Sequence, residues 1–293
     1  MNKKVPAESA PRPWGAHISI AGGVEKSPAR GEAIGAAAIQ IFTKNNTRWA
    51  GPPILPAQAA QFQEQSRLCG VQAVASHVCY LVNLASAEPE ISKKSREAFL
   101  DEMDRADLLG IPYLVFHPGA HMGAGEEDGM KRVADCLGWA MDQRPKSRTL
   151  LTLETTAGQG TGLGHRFSQL ARIIELTGNE GRLGVCVDTC HIFAAGYGLA
   201  SRKEYQATFA EFQAELGLER IKLFHINDSK KPQGARVDRH EHIGKGAIGA
   251  EGFRLLVNDT RFAKAPMILE TPKGPDGAED IENLKFLKGL IGK

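Results

Sequence analysis

The sequence predicts a single (β/α)8 barrel whose chemistry sits at the C-terminal ends of the strands. Eight short apolar runs of the buried-strand type recur along the chain, and amphipathic helical patterns lie between them. A G-x-G-x-x-G turn after the first run, which would favour an open doubly wound sheet, is missing. The shortest interval between run starts, Trp14 to Ala36, is 22 residues and the longest, Ile221 to Pro266, is 45. Each interval leaves room for a helix, so the strands can run parallel with right-handed crossovers.

Taken in order, the runs are Trp14 to Ser19, Ala36 to Thr43, Gln72 to His77 and Tyr113 to His117, then Thr149 to Thr155, Leu183 to Asp188, Ile221 to Asn227 and Pro266 to Thr271. Alternation gives the fifth and sixth an inside and an outside. Leu151 and Leu153 share the face toward the helices and leave Thr152 and Glu154 on the barrel axis; Val185 and Val187 do the same for Asp188. Among the helices, Phe167 to Thr177 places Leu170, Ile173, Ile174 and Thr177 on one face, and Tyr205 to Leu216 does so with Phe209, Phe212 and Leu216. Gly110, Gly178 and Gly217 stand where helix C-caps belong. Met1 to Pro13 carries no apolar stretch and is expected to be a disordered leader, with residues 14–293 forming one catalytic domain.

Composition narrows the function classes. Lys plus Arg is 36 against 34 for Asp plus Glu, so no global field advertises a nucleic-acid or membrane partner and any basic footprint must be local. Five cysteines, odd in number and without a C-x-x-C pair, argue against a disulfide framework or a cysteine zinc knuckle and for a reducing, cytoplasmic setting. No stretch approaches the roughly 18 apolar residues of a membrane span.

The strand ends carry the chemical signal. The third run ends at His77, the fourth at His117, the fifth reaches Glu154, the sixth ends at Asp188, and the seventh and eighth hold His225 and Glu270. His, Asp and Glu make up only 43 of 293 residues, so six matches at the positions where barrel enzymes keep their catalytic groups would arise by chance less than about once in a thousand. Several carboxylates buried in one mouth cost several kcal/mol apiece unless cations compensate, and imidazoles interleaved with them are ligands for divalent metal. His191, three residues past Asp188, and the pair Asp238 and His240 after the seventh strand bring the candidates to nine. Zinc typically takes four ligands and a catalytic ion keeps one position for water, so nine ligands with bridging suit three divalent ions, zinc first among the candidates. His17, His121, His165 and His242 are given ordinary structural roles.

The strings His117-Pro-Gly-Ala-His121, Glu154-Thr-Thr-Ala-Gly-Gln-Gly160, Asp188-Thr-Cys-His191, His225-Ile-Asn-Asp-Ser-Lys230, Asp238-Arg-His240 with Ile243-Gly-Lys-Gly246, and Ile268-Leu-Glu-Thr271 resemble the signature blocks of the endonuclease IV family of apurinic/apyrimidinic endonucleases. They occur in the family's order over residues 14 to 271. The resemblance implies a barrel with three zinc ions: one held by His77 and His117, a second by Asp188, His225 and Glu270 with Glu154 bridging the two, and a third by His191, Asp238 and His240. It also implies hydrolysis of the phosphodiester 5′ to an abasic site in double-stranded DNA, leaving a 3′-hydroxyl and a 5′-deoxyribose phosphate, with trimming of blocked 3′ ends as a second activity. The nucleophile would be water whose pKa metal lowers to about 7, and Glu270 and Glu154 would be the catalytic carboxylates. No organic cofactor is called for, and a monomer is expected.

DNA contacts are expected from a local basic rim. Lys230, Lys231, Arg236, Arg239 and Lys245 lie in the segment after the seventh strand. Lys44, Arg48 and Trp49 lie in the loop after the second, and Tyr80 follows His77 by three. The Gly-rich run from Gly158 to Gly164 reads as a tight strand-to-helix loop. Two rival readings use the same residues: a metal-dependent sugar isomerase or epimerase, which would leave Asp238 and His240 without a purpose, and a non-catalytic lesion-binding protein, which would need no open metal positions.

Overall fold

The structure is a computed structural model that describes residues 12–274 and 276–293. Eight strands close into a parallel barrel: β1 (Trp14–His17), β2 (Ala38–Phe42), β3 (Ala73–His77), β4 (Tyr113–Phe116), β5 (Leu150–Glu154), β6 (Leu183–Asp188), β7 (Ile221–His225) and β10 (Met267–Leu269), with β10 pairing back to β1. All eight expected runs are strands. Between β7 and β10, β8 (Asp228–Ser229) and β9 (His240–Glu241) form a small antiparallel hairpin that folds the chain back toward the mouth.

Around the barrel run α1 (Ser27–Ala33), α2 (Pro56–Leu68), α3 (Pro89–Leu109), α4 (Glu126–Gln143), α5 (Phe167–Thr177), α6 (Thr189–Ala195), α7 (Arg202–Glu215), α8 (Gly249–Val257) and α9 (Ala278–Lys288). Helix α5 has the bounds its apolar face predicts, and α7 begins three residues before its first aromatic. Gly110 ends α3 and Gly178 ends α5, both in the left-handed conformation. Gly217 differs from expectation. Leu216 is the cap of α7, and Gly217, at φ 81° and ψ 130°, turns the chain into a short 3-10 segment instead.

Period-two alternation sorts the side chains into two cores. Ala38, Ala75, Val115, Cys186, Leu223 and Ile268 fill the barrel interior, while Leu151, Leu153, Val185 and Val187 join the larger cluster between strands and helices. Small residues such as Ala38 and Ala75 let the sheet close tightly. At Gly15 the fit is closest: a Cβ there would lie 1.5 Å from the carbonyl oxygen of Ala38 on the neighbouring strand.

Residues 1–11 of the expected leader lie outside the described residues. Of its last two, Arg12 donates through Nη1 to Val257 O and through Nη2 to Asp259 O, and Pro13 O accepts from Met267 N. Among the described residues no helix is long and apolar enough to cross a membrane.

Candidate metal centre

Pairing register brings the polar strand ends into one layer. Asp188 on β6 lies opposite His225 on β7, a match reached after a register shift between Val185 and Cys186, and His225 neighbours Ile268, two residues before Glu270. Alternation then turns Glu154, Asp188 and His225 inward, and each is fully buried.

Glu154 lies at the centre. Its Oε2 is 2.9 Å from His77 Nε2 and 3.0 Å from His117 Nε2, while its Oε1 is 2.8 Å from His225 Nδ1. One carboxylate thus faces two separate sets of nitrogens. His225 Nδ1 also lies 3.2 Å from Glu270 Oε2 and 4.0 Å from Asp188 Oδ2. The outer set is Asp238, whose Oδ2 is 3.1 Å from His191 Nε2 and whose Oδ1 is 3.1 Å from His240 Nε2. Ligands at zinc bond lengths in a tetrahedron sit about 3.3 Å apart, close to these separations. Three sets, His77–His117–Glu154, Glu154–Asp188–His225–Glu270 and His191–Asp238–His240, each bring their ligand atoms within 4.8 Å of one another. All nine sequence-assigned ligands fall in them. Solvent reaches the cluster at His117 and Asp238, whose side chains are 34% and 42% exposed.

The imidazoles are held in defined tautomers by the backbone. Nδ1 of His77 donates to Val78 O at 2.7 Å, Nδ1 of His191 to Thr155 O at 2.8 Å and Nδ1 of His240 to Glu270 O at 3.1 Å, leaving each Nε2 turned toward a neighbouring carboxylate. His225 is reversed. Its Nε2 donates to Gln40 Oε1 at 2.7 Å, so Nδ1 faces the carboxylates.

Electrostatics matches a site built for cations. Burial disfavours charge on Glu154, yet His225 and His117 hold it well below the usual carboxylate range. His225 and His17 do the same for Glu270 against its burial, as His191 and His240 do for Asp238. His77 and His240 move the other way: against burial, Glu154 raises His77, and Asp188 and Asp238 push His240 up to about 9. Carboxylates that favour protonated imidazoles this strongly would favour divalent cations too. His240 Nε2 fits that account directly: it is buried, lies 3.1 Å from Asp238 Oδ1 and 3.7 Å from Asp188 Oδ2, and among the described residues makes no well-aligned hydrogen bond.

Several site residues escaped the sequence reading. Gln40 donates through Nε2 to Glu270 Oε1 at 2.6 Å while accepting from His225. Asn227 donates to Asp188 Oδ2 at 2.7 Å, and its Oδ1 accepts from Glu270 N at 2.9 Å. His17, given a structural role from the sequence, lies 3.3 Å from Glu270 Oε1. Position could have marked Gln40, a polar residue on the inner face of β2 between Ile39 and Ile41. His121, His165 and His242 keep structural roles, bonding to Gly125 N, Gly162 O and Asn283 Nδ2.

Around the mouth, Lys230, Lys231, Arg236, Arg239, Lys245 and Arg48 are exposed, and Trp49 is half-buried against the core. Tyr80 stands open to solvent, its ring edge-on to Phe42 at 5.4 Å and 5.8 Å from the ring of His77. Lys44 is a correction. Its ammonium is fully buried, 2.7 Å from Asp101 Oδ2 and 3.0 Å from Glu102 Oε1, because α3 brings both acids beneath the loop. A cleft of about 310 Å³ borders the cluster, lined by Tyr80, Asn83, His117, Gln159, His191 and Asp238.

Comparison with known proteins places this geometry. A family model described as a xylose isomerase-like TIM barrel matches residues 28–290. The chain is 55% identical over 278 residues to the probable endonuclease 4 of Chloroflexus aggregans, covering 95% of this chain and 97% of that one. It superposes on the crystal structure of endonuclease IV from Thermus thermophilus with a TM-score of 0.85, at 36% identity and covering 95% of this chain and 98% of that one. A D-tagatose 3-epimerase-like protein aligns over 95% of this chain and 97% of its own with a TM-score of 0.73, but at 18% identity it shares the fold alone.

Proposed function

The chain belongs to the endonuclease IV family of metal-dependent DNA-repair endonucleases, and on that premise we propose that it cuts duplex DNA on the 5′ side of abasic sites using three divalent ions, most simply zinc. The observation that carries this reading is the third ligand set. A sugar epimerase needs one or two ions, whereas His191, Asp238 and His240 form a separate cage at the solvent side of the Glu154 cluster. His77, His117 and Glu154 would hold one ion, Glu154, Asp188, His225 and Glu270 a second, and the outer trio the third. Bound there, such ions supply a water nucleophile at neutral pH and balance charge on the phosphate and the leaving 3′ oxygen.

The protein's own groups do the positioning. Glu270 has Oε1 fixed by Gln40 and His17 and Oε2 3.2 Å from His225 Nδ1, so the carboxylate is held in place to orient the attacking water. Glu154 keeps the two inner sets in register. Lys230, Lys231, Arg236 and Arg239 would take the DNA phosphates, and Arg48, Trp49 and Tyr80 would meet the distorted duplex beside the lesion. Trimming of blocked 3′ ends fits the same centre. We further propose one catalytic domain over residues 14–293, acting without an organic cofactor as a cytoplasmic monomer, a setting supported by its five free thiols.

The test is a duplex bearing one abasic site, incubated with native protein and with chelated protein. Expected are a 3′-hydroxyl and a 5′-deoxyribose phosphate, loss of cutting on chelation, and about three ions per active chain by elemental analysis. Activity that survives with at most one ion overturns the three-ion reading, and tight binding without cutting favours a lesion-binding protein.

A further inference from the structure

We propose that Lys44, Asp101, Glu102 and Arg105 form a largely buried clamp that sets the aim of the loop of residues 43–52, and so act as positioning residues for DNA through Arg48. The proposal rests on the reading of that loop as part of the DNA rim.

The loop leaves β2, and both of its feet are tied to α3. At the first foot, Thr43 Oγ1 donates to Glu102 Oε2 at 2.5 Å, and Lys44 Nζ reaches Asp101 and Glu102. At the second, Arg105 Nη2 donates to Gly51 O at 3.1 Å and Pro52 O at 3.0 Å, while its Nε sits on Asp101 Oδ1 and Oδ2 at 3.0 and 2.9 Å and Nη1 reaches Thr43 O at 3.4 Å. One guanidinium therefore spans both feet. Gly51 is required by the closeness of the feet, since a Cβ there would lie 2.7 Å from Lys44 Cβ.

Taking these charges largely out of water is a poor route to stability, because desolvation of each ion offsets most of the attraction between them. What the arrangement provides is direction. The clamp has two cations and two anions, so it adds no net charge toward DNA and acts by shape. Between the feet the tip holds itself: Asn45 Oδ1 accepts from Thr47 N and Oγ1, and Arg48 N donates to Asn45 O. Tied to α3 at both feet, the tip is expected to keep its aim. Arg48 then meets the duplex without the ordering cost that a loose loop would bear.

Arg105→Lys keeps a charge beside Asp101 but loses the fork on Gly51 and Pro52. On an abasic duplex it should raise KM about tenfold, the size expected for ordering one or two side chains and a loop, with kcat unchanged. Arg48→Ala should raise KM by itself, and adding Arg105→Lys to it should raise KM no further, because the two act in series. The charge-balanced pair Lys44→Met with Glu102→Gln reads the same quantity if Arg105→Lys folds poorly. A fall in kcat with KM unmoved, or additive KM effects in the double variant, overturns the proposal in favour of a merely structural network. If the native protein cuts the duplex but Arg48→Ala leaves KM unchanged, the clamp proposal fails and the assigned activity stands. If the native protein does not cut, the functional reading fails first.

Discussion

Gln40 Nε2 lies 2.6 Å from Oε1 of Glu270, so an uncharged strand residue fixes the most exposed carboxylate of the two inner sets. The same amide accepts from His225 Nε2, coupling two members of one ligand set. Gln40→Leu should preserve the barrel yet lower metal affinity or turnover about 10- to 100-fold, the usual cost of losing an outer partner of a metal ligand. Kinetics at saturating metal would separate the two effects. Native metal affinity and native turnover together would remove Gln40 from the site.

Acid should expel the metal. Divalent ions need deprotonated imidazoles, and His240, pushed up to about 9, competes for protons above neutral pH, while nearby carboxylates raise His191 and His225 in the same direction. In chelated protein, a histidine raised in this way stabilises the fold fully below its unfolded value near 6.5, and that contribution is lost as pH rises through about 9. The gain in Tm on adding zinc should therefore grow between about pH 6.5 and 9. Proton release on metal binding, read by calorimetry in buffers of different ionisation enthalpy, checks the sign.

His240→Ala should lose one ion while the ions at the inner sets stay, because His240 belongs to the outer trio and the Glu154 cluster has its own ligands. Turnover should collapse more than substrate affinity, since the missing charge acts as the leaving oxygen turns negative. A substrate with a better leaving group should suffer less. A variant that retains every ion, or is equally impaired on both substrates, contradicts the assignment.

Lys230 and Lys231 are exposed beside the mouth on a chain of formal net charge +2. Replacing both by Ala should lower the slope of log affinity against log salt by about two if each meets a phosphate. An unchanged slope would route the DNA elsewhere.

How much of this was readable beforehand depended on charge and distance. Glu154, Asp188 and His225 announced themselves because ionisable residues at the ends of apolar strands have few other reasons to be there. Gln40 and Asn227 did not, because a neutral amide in a strand carries no comparable cost and becomes meaningful only through its partners. Lys44 misled for a related reason: its acidic partners are 57 and 58 residues away in sequence, on α3, and nothing in the loop itself signals that they will lie beneath it. Gly217 shows the limit of local punctuation. A glycine after a helix predicts positive φ, which it has, but the ψ that decides between a cap and a turn comes from the segment that follows.

Asp228 begins the hairpin after β7, and its buried carboxylate accepts from five backbone amides, those of Ser229, Gly244, Gly246, Ile248 and Gly249. In terms of time rather than distance, these amides should exchange their hydrogens slowly although most of them lie in an irregular loop, because opening any one of them transiently leaves a buried anion less satisfied and favours opening of the whole group. The chain that carries Asp238 and His240 would then open as one cooperative unit. Between openings the outer ligands would keep a lifetime set by a side chain that is not itself one of the nine ligands.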